Sequence, residues 1–284
     1  IGAGNGFLIS GCTFSNIMRT NGTMPATVAV FNSTNGTIMN CDWSYCSMTT
    51  PGGLELRGQL SLYNSSALVD NCNFDNNEEE FGTACIAAGL SQVTIDDSTF
   101  SANRTSDQGS AVYLYENSSL EMNNCSLLWN WSGGTCGSVK IEADSSATIT
   151  DSEFNGNSCL GVSEYTPGGG AIRSTGDVTL TNCYFQENSS GSSTTSNSCC
   201  GGGICLVAGN GTLNNCAIVN SYSDFAGGAL GILGGNHIIS NCTFAGNQAF
   251  PQHGVCDGVY VAGNATVTVD HSILANSLNP NREV

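Results

Sequence analysis

Residues 227–247 read GGALGILGGNHIISNCTFAGN, and residues 167–188 read PGGGAIRSTGDVTLTNCYFQEN. Both open on small residues, pass through two short apolar runs and close on N-C-x-F-x-x-N. Aligning the chain on the large apolar residue of that closing element gives Phe14, Trp43, Phe74, Phe100, Leu127, Phe154, Phe185, Ile218, Phe244 and Leu274, 26 to 33 residues apart. Five residues earlier stands an apolar column: Ile9, Ile38, Val69, Ile95, Met122, Ile149, Leu180, Leu213, Ile239 and Val269. Two residues before the anchor the side chain is always Cys or Ser. Between these columns lies a polar one: Asn40, Asn71, Asp97, Asn124, Asp151, Asn182, Asn215 and Asn241, flanked by Gly11 and His271.

The opening half of each repeat is small-small-apolar-x-apolar. It reads GGLEL at 52–56, GSAVYL at 109–114, GSVKI at 137–141, GGICL at 202–206 and DGVYV at 257–261, with looser versions at 82–87 and 26–30. Apolar and polar residues alternate over four to six positions, which is the period of a strand. A unit of two or three such strands cannot bury its apolar face alone. Copies bury it by stacking, each residue on its equivalent in the next turn. The expected fold is therefore all-β, a single right-handed parallel β-helix of about ten coils. Residues 1–284 form one domain, possibly a segment of a longer chain. At one strand spacing per coil it would be about 50 Å long. The Cys/Ser column then marks a site for small buried side chains, and the Asn/Asp column a tight turn that these residues tolerate.

Composition narrows the function. Only 10% of residues are charged, the net charge is −17, and six Lys and Arg are available to meet phosphates. Nucleic acid and anionic membranes are poor partners for such a surface. No apolar run approaches the ~18 residues of a membrane helix, so no membrane insertion is expected. The chain begins at Ile1 without a basic-then-apolar leader. A targeting peptide has then been removed, or the chain is a segment.

The repeats G-G-A-[ILV] and F-x-x-N resemble those of chlamydial polymorphic outer-membrane proteins. GGAI (169–172), GGAL (227–230) and F-x-x-N at 100–103, 154–157, 185–188 and 244–247 carry the likeness. The Asn column and coil length also resemble the wider right-handed parallel β-helix superfamily that includes pectate lyases. That resemblance implies the fold; members serve as adhesins, passenger domains, tailspikes and polysaccharide-cleaving enzymes. Similarity to a pectate lyase would imply a basic residue with a calcium-binding Asp cluster. Lys140 and Arg173 on the GG strands, with Glu55, Glu142 and Asp177 near, are the candidates, and solvated outer-face residues are the plainer reading. Of the polygalacturonase motifs only Asp96-Asp97 has a counterpart, and Asp97 belongs to the turn column. Asp75 with Glu78-Glu79-Glu80 reads as a solvated acidic loop. His237, His253 and His271 are scattered, so no metal or cofactor is expected, and an enzyme is the less favoured reading.

Twelve N-x-S/T sequons and fifteen cysteines suggest a secreted or cell-surface setting. Asn35, Asn64, Asn117, Asn210 and Asn264 fall in one short turn, eight to ten residues before the anchor. Asn103, Asn130 and Asn188 share the Asn of F-x-x-N. These two rows, together with Asn21, are the expected glycan sites. Asn124 and Asn241 sit in the turn column and are expected to stay bare. The column cysteines read as buried thiols, while Cys136, Cys159, Cys199 and Cys200 occupy successive loops and are expected to form at least one disulfide staple. The favoured function is an extracellular N-glycosylated structural protein, a filament or cell-surface building block whose uncapped ends stack. An adhesin or carbohydrate-binding surface protein using loops 157–168 and 186–200, and a polysaccharide lyase or hydrolase, are the alternatives.

Overall fold

The computed structural model describes residues 5–19, 26–49, 58–80, 82–160, 168–191, 199–250 and 256–275. It is a right-handed parallel β-solenoid in which strands inside each of four long sheets pair with their equivalents one coil before and after. Each full coil carries four strands, illustrated by Ile86–Gly89, Gln92–Asp96, Thr99–Ser101 and Arg104–Thr105. We number the sheets in that order. Among the described residues, sheets 2 and 3 contain ten strands each, and sheets 1 and 4 contain nine.

The aligned columns become the ladders of the structure. Phe74 is in register with Trp43 and Phe100, and Ile95 with Val69 and Met122. Stacking in register puts like upon like inside. Phe14, Trp43, Phe74 and Phe100 form a continuous ring stack at centroid spacings of 4.7, 4.7 and 4.9 Å. Leu127 interrupts it before Phe154 and Phe185 resume at 4.6 Å. Each buried ring contributes about 1.5–3 kcal/mol by leaving water, and stacking adds roughly 0.5–1.5 kcal/mol.

Three corners turn the chain, and all use left-handed backbone. Between sheets 2 and 3, Asn40, Asn71, Asp97, Asn124, Asp151, Asn182, Asn215 and Asn241 hold φ between 47° and 56°. Asn and Asp adopt this conformation more readily than other side chains. Their amides bond along the ladder, as from Asn71 Nδ2 to Asn40 Oδ1 (2.7 Å) and Asn182 Nδ2 to Asp151 Oδ1 (2.9 Å). At the corner between sheets 1 and 2 a serine ladder does the same work inside. Ser65, Ser91, Ser118 and Ser145 each accept at Oγ from the backbone N–H of the preceding coil's serine, at 3.1–3.2 Å.

The structure departs from expectation in three places. A fourth strand per coil, only two residues long, follows F-x-x-N; two residues are too few to show an alternating pattern. In the third coil the sheet 1 strand is Leu60–Tyr63, in register with Ile86–Gly89, while GGLEL (52–56) lies outside the described residues. Glu78–Glu79 is one of the sheet 4 strands instead of a solvated loop, and Glu79 is buried.

Candidate functional sites: the glycan corner and the covered face of sheet 1

Asn35, Asn64, Asn117, Asn210 and Asn264 are all exposed at the corner between sheets 1 and 2. They occupy two lanes instead of one row. Asn35 and Asn210 stand in the column that includes Ser66, Ser119 and Asn236, whereas Asn64, Asn117 and Asn264 lie two residues ahead of it. Asn35, Asn64 and Asn117 have φ of 55°, 47° and 57°, so the turn points these side chains outward. Asn64 Nδ2 donates to Asn32 Oδ1 at 2.6 Å, and Asn210 donates from both backbone N and Nδ2 to Asp177 Oδ1 at 2.7 and 3.1 Å. All are surface bonds that water can replace.

The second expected glycan row is corrected. Asn103, Asn130 and Asn188 are fully buried. Each belongs to an interior amide ladder with Asn77 and Asn157. Asn103 Nδ2 donates to Phe74 O (2.8 Å) and Asn130 Oδ1 (3.0 Å), and Asn130 Nδ2 to Phe100 O (2.9 Å) and Asn157 Oδ1 (3.0 Å). Asn188 Nδ2 donates to Phe154 O at 2.9 Å. A sugar on any of these nitrogens would displace both the bonds and the adjoining core. Asn124 and Asn241, expected to be enclosed, are exposed instead; their Nδ2 atoms donate to Asp97 Oδ1 (2.5 Å) and Asn214 Oδ1 (3.1 Å). Asn21 lies outside the described residues.

Lys140 and Arg173 are neighbours in register on sheet 1, but the solvated outer face expected for them is not there. They are 8% and 7% exposed, and the same outer column is closed at Ser61, Ala87 and Cys205. Lys140 Nζ pairs with Glu142 Oε1 at 2.7 Å, donates to Gln108 Oε1 and lies 5.2 Å from the Tyr113 ring centre. Burial pushes the Glu142 carboxyl up, yet Lys140, helped by Arg173 and a Thr175 hydroxyl 3.3 Å away, outweighs it and holds the carboxyl below its usual range. Asp177 stays outside with Asn210, and Glu55 is not among the described residues. Lys140 ties the outer face of sheet 1 to the segment that carries Gln108, and with half-buried Glu142 it forms a largely covered ion pair in place of an open strand-face site.

A sequence model of the family described as a right-handed beta helix region matches residues 1–136 and 91–279. The chain belongs to the right-handed β-helix family. No curated protein matches it.

The cysteines of this β-helix are mostly interior. Cys41, Cys72, Cys125, Cys183, Cys216 and Cys242 are buried in the small-residue column, with thiols directed at carbonyls, such as Cys72 Sγ to Asp70 O at 3.3 Å. Burial pushes the Cys72 thiol up to about 11 and the Cys125 thiol to about 12. Of the four cysteines expected to supply at least one staple, Cys136 keeps a free, buried thiol that donates to Val139 O at 2.8 Å. Cys256 repeats that bond to Val259 O at 3.1 Å, which identifies the position as a corner site for a small donor. Cys159 is buried, and the side chains of Cys199 and Cys200 lie outside the described ones. Cys46 occupies the Asn position of the F-x-x-N ladder, where its backbone N–H donates to Asn77 Oδ1 at 3.1 Å.

Among the histidines of the β-helix, His237 fills a core column held elsewhere by Val93, Leu120 and Val178. Space for it comes from Gly211, where a Cβ would stand 2.5 Å from Nδ1. His271 pairs with Asp270 at 2.7 Å, and His253 is not among the described residues.

Proposed function

We propose that this β-helix is an extracellular, N-glycosylated structural rod, a filament or cell-surface building block whose copies stack end to end. One observation carries the reading: of the exposed sequons among the described residues, Asn35, Asn64, Asn117, Asn210 and Asn264 share one corner from the second coil to the last, with Asn32 beside them and only Asn124 and Asn241 elsewhere. Sugars there would line one edge of the rod and keep the outer faces of sheets 3 and 4 clear.

Support for stacking comes from the last described coil. Val259, Val261, Val267, Val269 and Leu274, with Ile239 and Phe244 of the coil before, line an open apolar space of about 310 Å³. A first coil of another copy, set in register, would cover these side chains and pair the edge strands. Electron microscopy of the native material is the test. Unbranched filaments of copies joined end to end are expected; separate rods at every concentration would refute stacking.

A further inference from the structure

At the corner between sheets 3 and 4, the third residue of F-x-x-N is left-handed in nine successive coils. Asn16, Asn76, Asn220, Gly156 and Gly246 fill it with residues suited to that backbone. Trp129 fills it at φ 57° and is 60% exposed. A large ring is thus held in an unfavourable conformation without the compensation of burial. Its indole lies over Gly156 of the next coil, where a Cβ would come within 2.2 Å of the ring. Two residues on, across the same corner, Trp131 is half-buried on sheet 4 and carries the Arg104 guanidinium 4.2 Å from its ring centre. Of the chain's three tryptophans, two therefore stand at one surface corner and only Trp43 belongs to the core.

We propose that Trp129, Trp131 and Arg104 form a binding platform for a neutral polysaccharide chain. Tyr45, Ala102 and Glu187 share this left-handed position, and Tyr45 is as exposed as Trp129, but only Trp129 is followed two residues on by a second aromatic ring. Strain and exposure beside such a partner mark a position kept for what it touches outside the fold. Indole faces pack against the C–H faces of pyranose rings, and the edges of this patch supply hydroxyl, amide and guanidinium groups from Ser101, Asn155, Ser158 and Arg104. Among the described residues the aliphatic neighbours are half-buried Leu128 and exposed Leu160, short of the broad apolar surface that a protein or lipid partner would require. The net charge of −17 repels polyanions, and Arg104 is already engaged on Trp131, which selects an uncharged chain. The platform is separate from the glycan corner and independent of end-to-end stacking.

The test is titration of the intact protein with cellohexaose, chitohexaose, xylohexaose and mannohexaose, read by tryptophan fluorescence. Saturable change with at least one sugar is expected, because Trp43 is sealed between Phe14 and Phe74 and the signal comes from the surface pair. Trp129→Asn installs the residue that sibling corners use, so it should leave the melting temperature equal or higher while weakening sugar binding at least tenfold. Trp131→Ala should weaken binding similarly, and Trp129→Phe should retain most of it. No saturable response to any of the four sugars would overturn the proposal, as would wild-type affinity in Trp129→Asn. If Trp129→Asn abolished self-association in sedimentation while sugars had no effect, the patch would be a protein interface and the proposal would again be wrong. Filaments that persist in Trp129→Asn while sugar binding is lost would separate this site from the stacking function.

Discussion

Asn103 and Asn130 are joined twice: the backbone N–H and the Nδ2 of Asn103 both donate to Asn130 Oδ1, at 3.1 and 3.0 Å. The same pairing links Asn77 to Asn103 and Asn157 to Asn188. The ladder satisfies backbone groups that a tight interior corner would otherwise leave unmade. Asn103→Ala strips partners from Phe74 O and from the Asn77 backbone N–H, and should cost about 2–4 kcal/mol, more than one unsatisfied buried group alone. Asn103→Asp should cost more, since its charge would face an acceptor in a dry interior. Urea unfolding at neutral pH measures both, and a loss below a few tenths of a kcal/mol would contradict the ladder's role.

The ring stack gives a second expectation. Phe74 sits between Trp43 and Phe100, and Phe74→Ala should lower stability by about 3–5 kcal/mol through lost burial and a cavity. Phe74→Leu should be much milder, because Leu127 already fills this column between Phe100 and Phe154. Equal losses for the two variants in chemical denaturation would show that the column does not set the packing.

Glu142 supplies a pH dependence. Its carboxyl is held below the usual 4.5 by Lys140 against the opposing effect of burial, so its contribution to stability is present above that value. The contribution is lost as pH falls through the depressed folded value. Glu142→Gln should therefore flatten the acid limb of the stability curve between neutral pH and the low end of the carboxylate range. An acid limb identical to wild type would contradict the pairing.

Thiol chemistry offers a fourth. Burial raises Cys72 to about 11 and Cys125 and Cys136 to about 12, which leaves little thiolate at pH 8 and no path for a reagent. Iodoacetamide should leave these three unlabelled in the native protein and label them after denaturation. Rapid native labelling would mean that the column opens.

The fold was legible because stacking repeats one residue's environment ten times. Phe74, Phe100 and Phe154 announce a column that no single coil could. What repetition does not encode is which side of a corner a side chain takes. Asn124 and Asn103 both look like turn asparagines in sequence. One is left-handed and exposed, whereas the other follows a left-handed Ala102 and is turned inward. A one-residue offset reverses the face, and only the corner φ values reveal it. Lys140 and Arg173 were misjudged for another reason. The covering residue Gln108 comes from the segment before a strand, which has no repeat to read. Trp129 is not legible because it occupies an ordinary apolar place in the alignment, and only the shared left-handed corner turns its ring outward beside Trp131.

Intact-glycopeptide mass spectrometry of the native protein tests the central reading most directly. Sugar on Asn35, Asn64, Asn117, Asn210 and Asn264, with Asn103, Asn130 and Asn188 bare, is the expected pattern. Sugar on any of the three ladder asparagines, or a bare corner throughout, would contradict it.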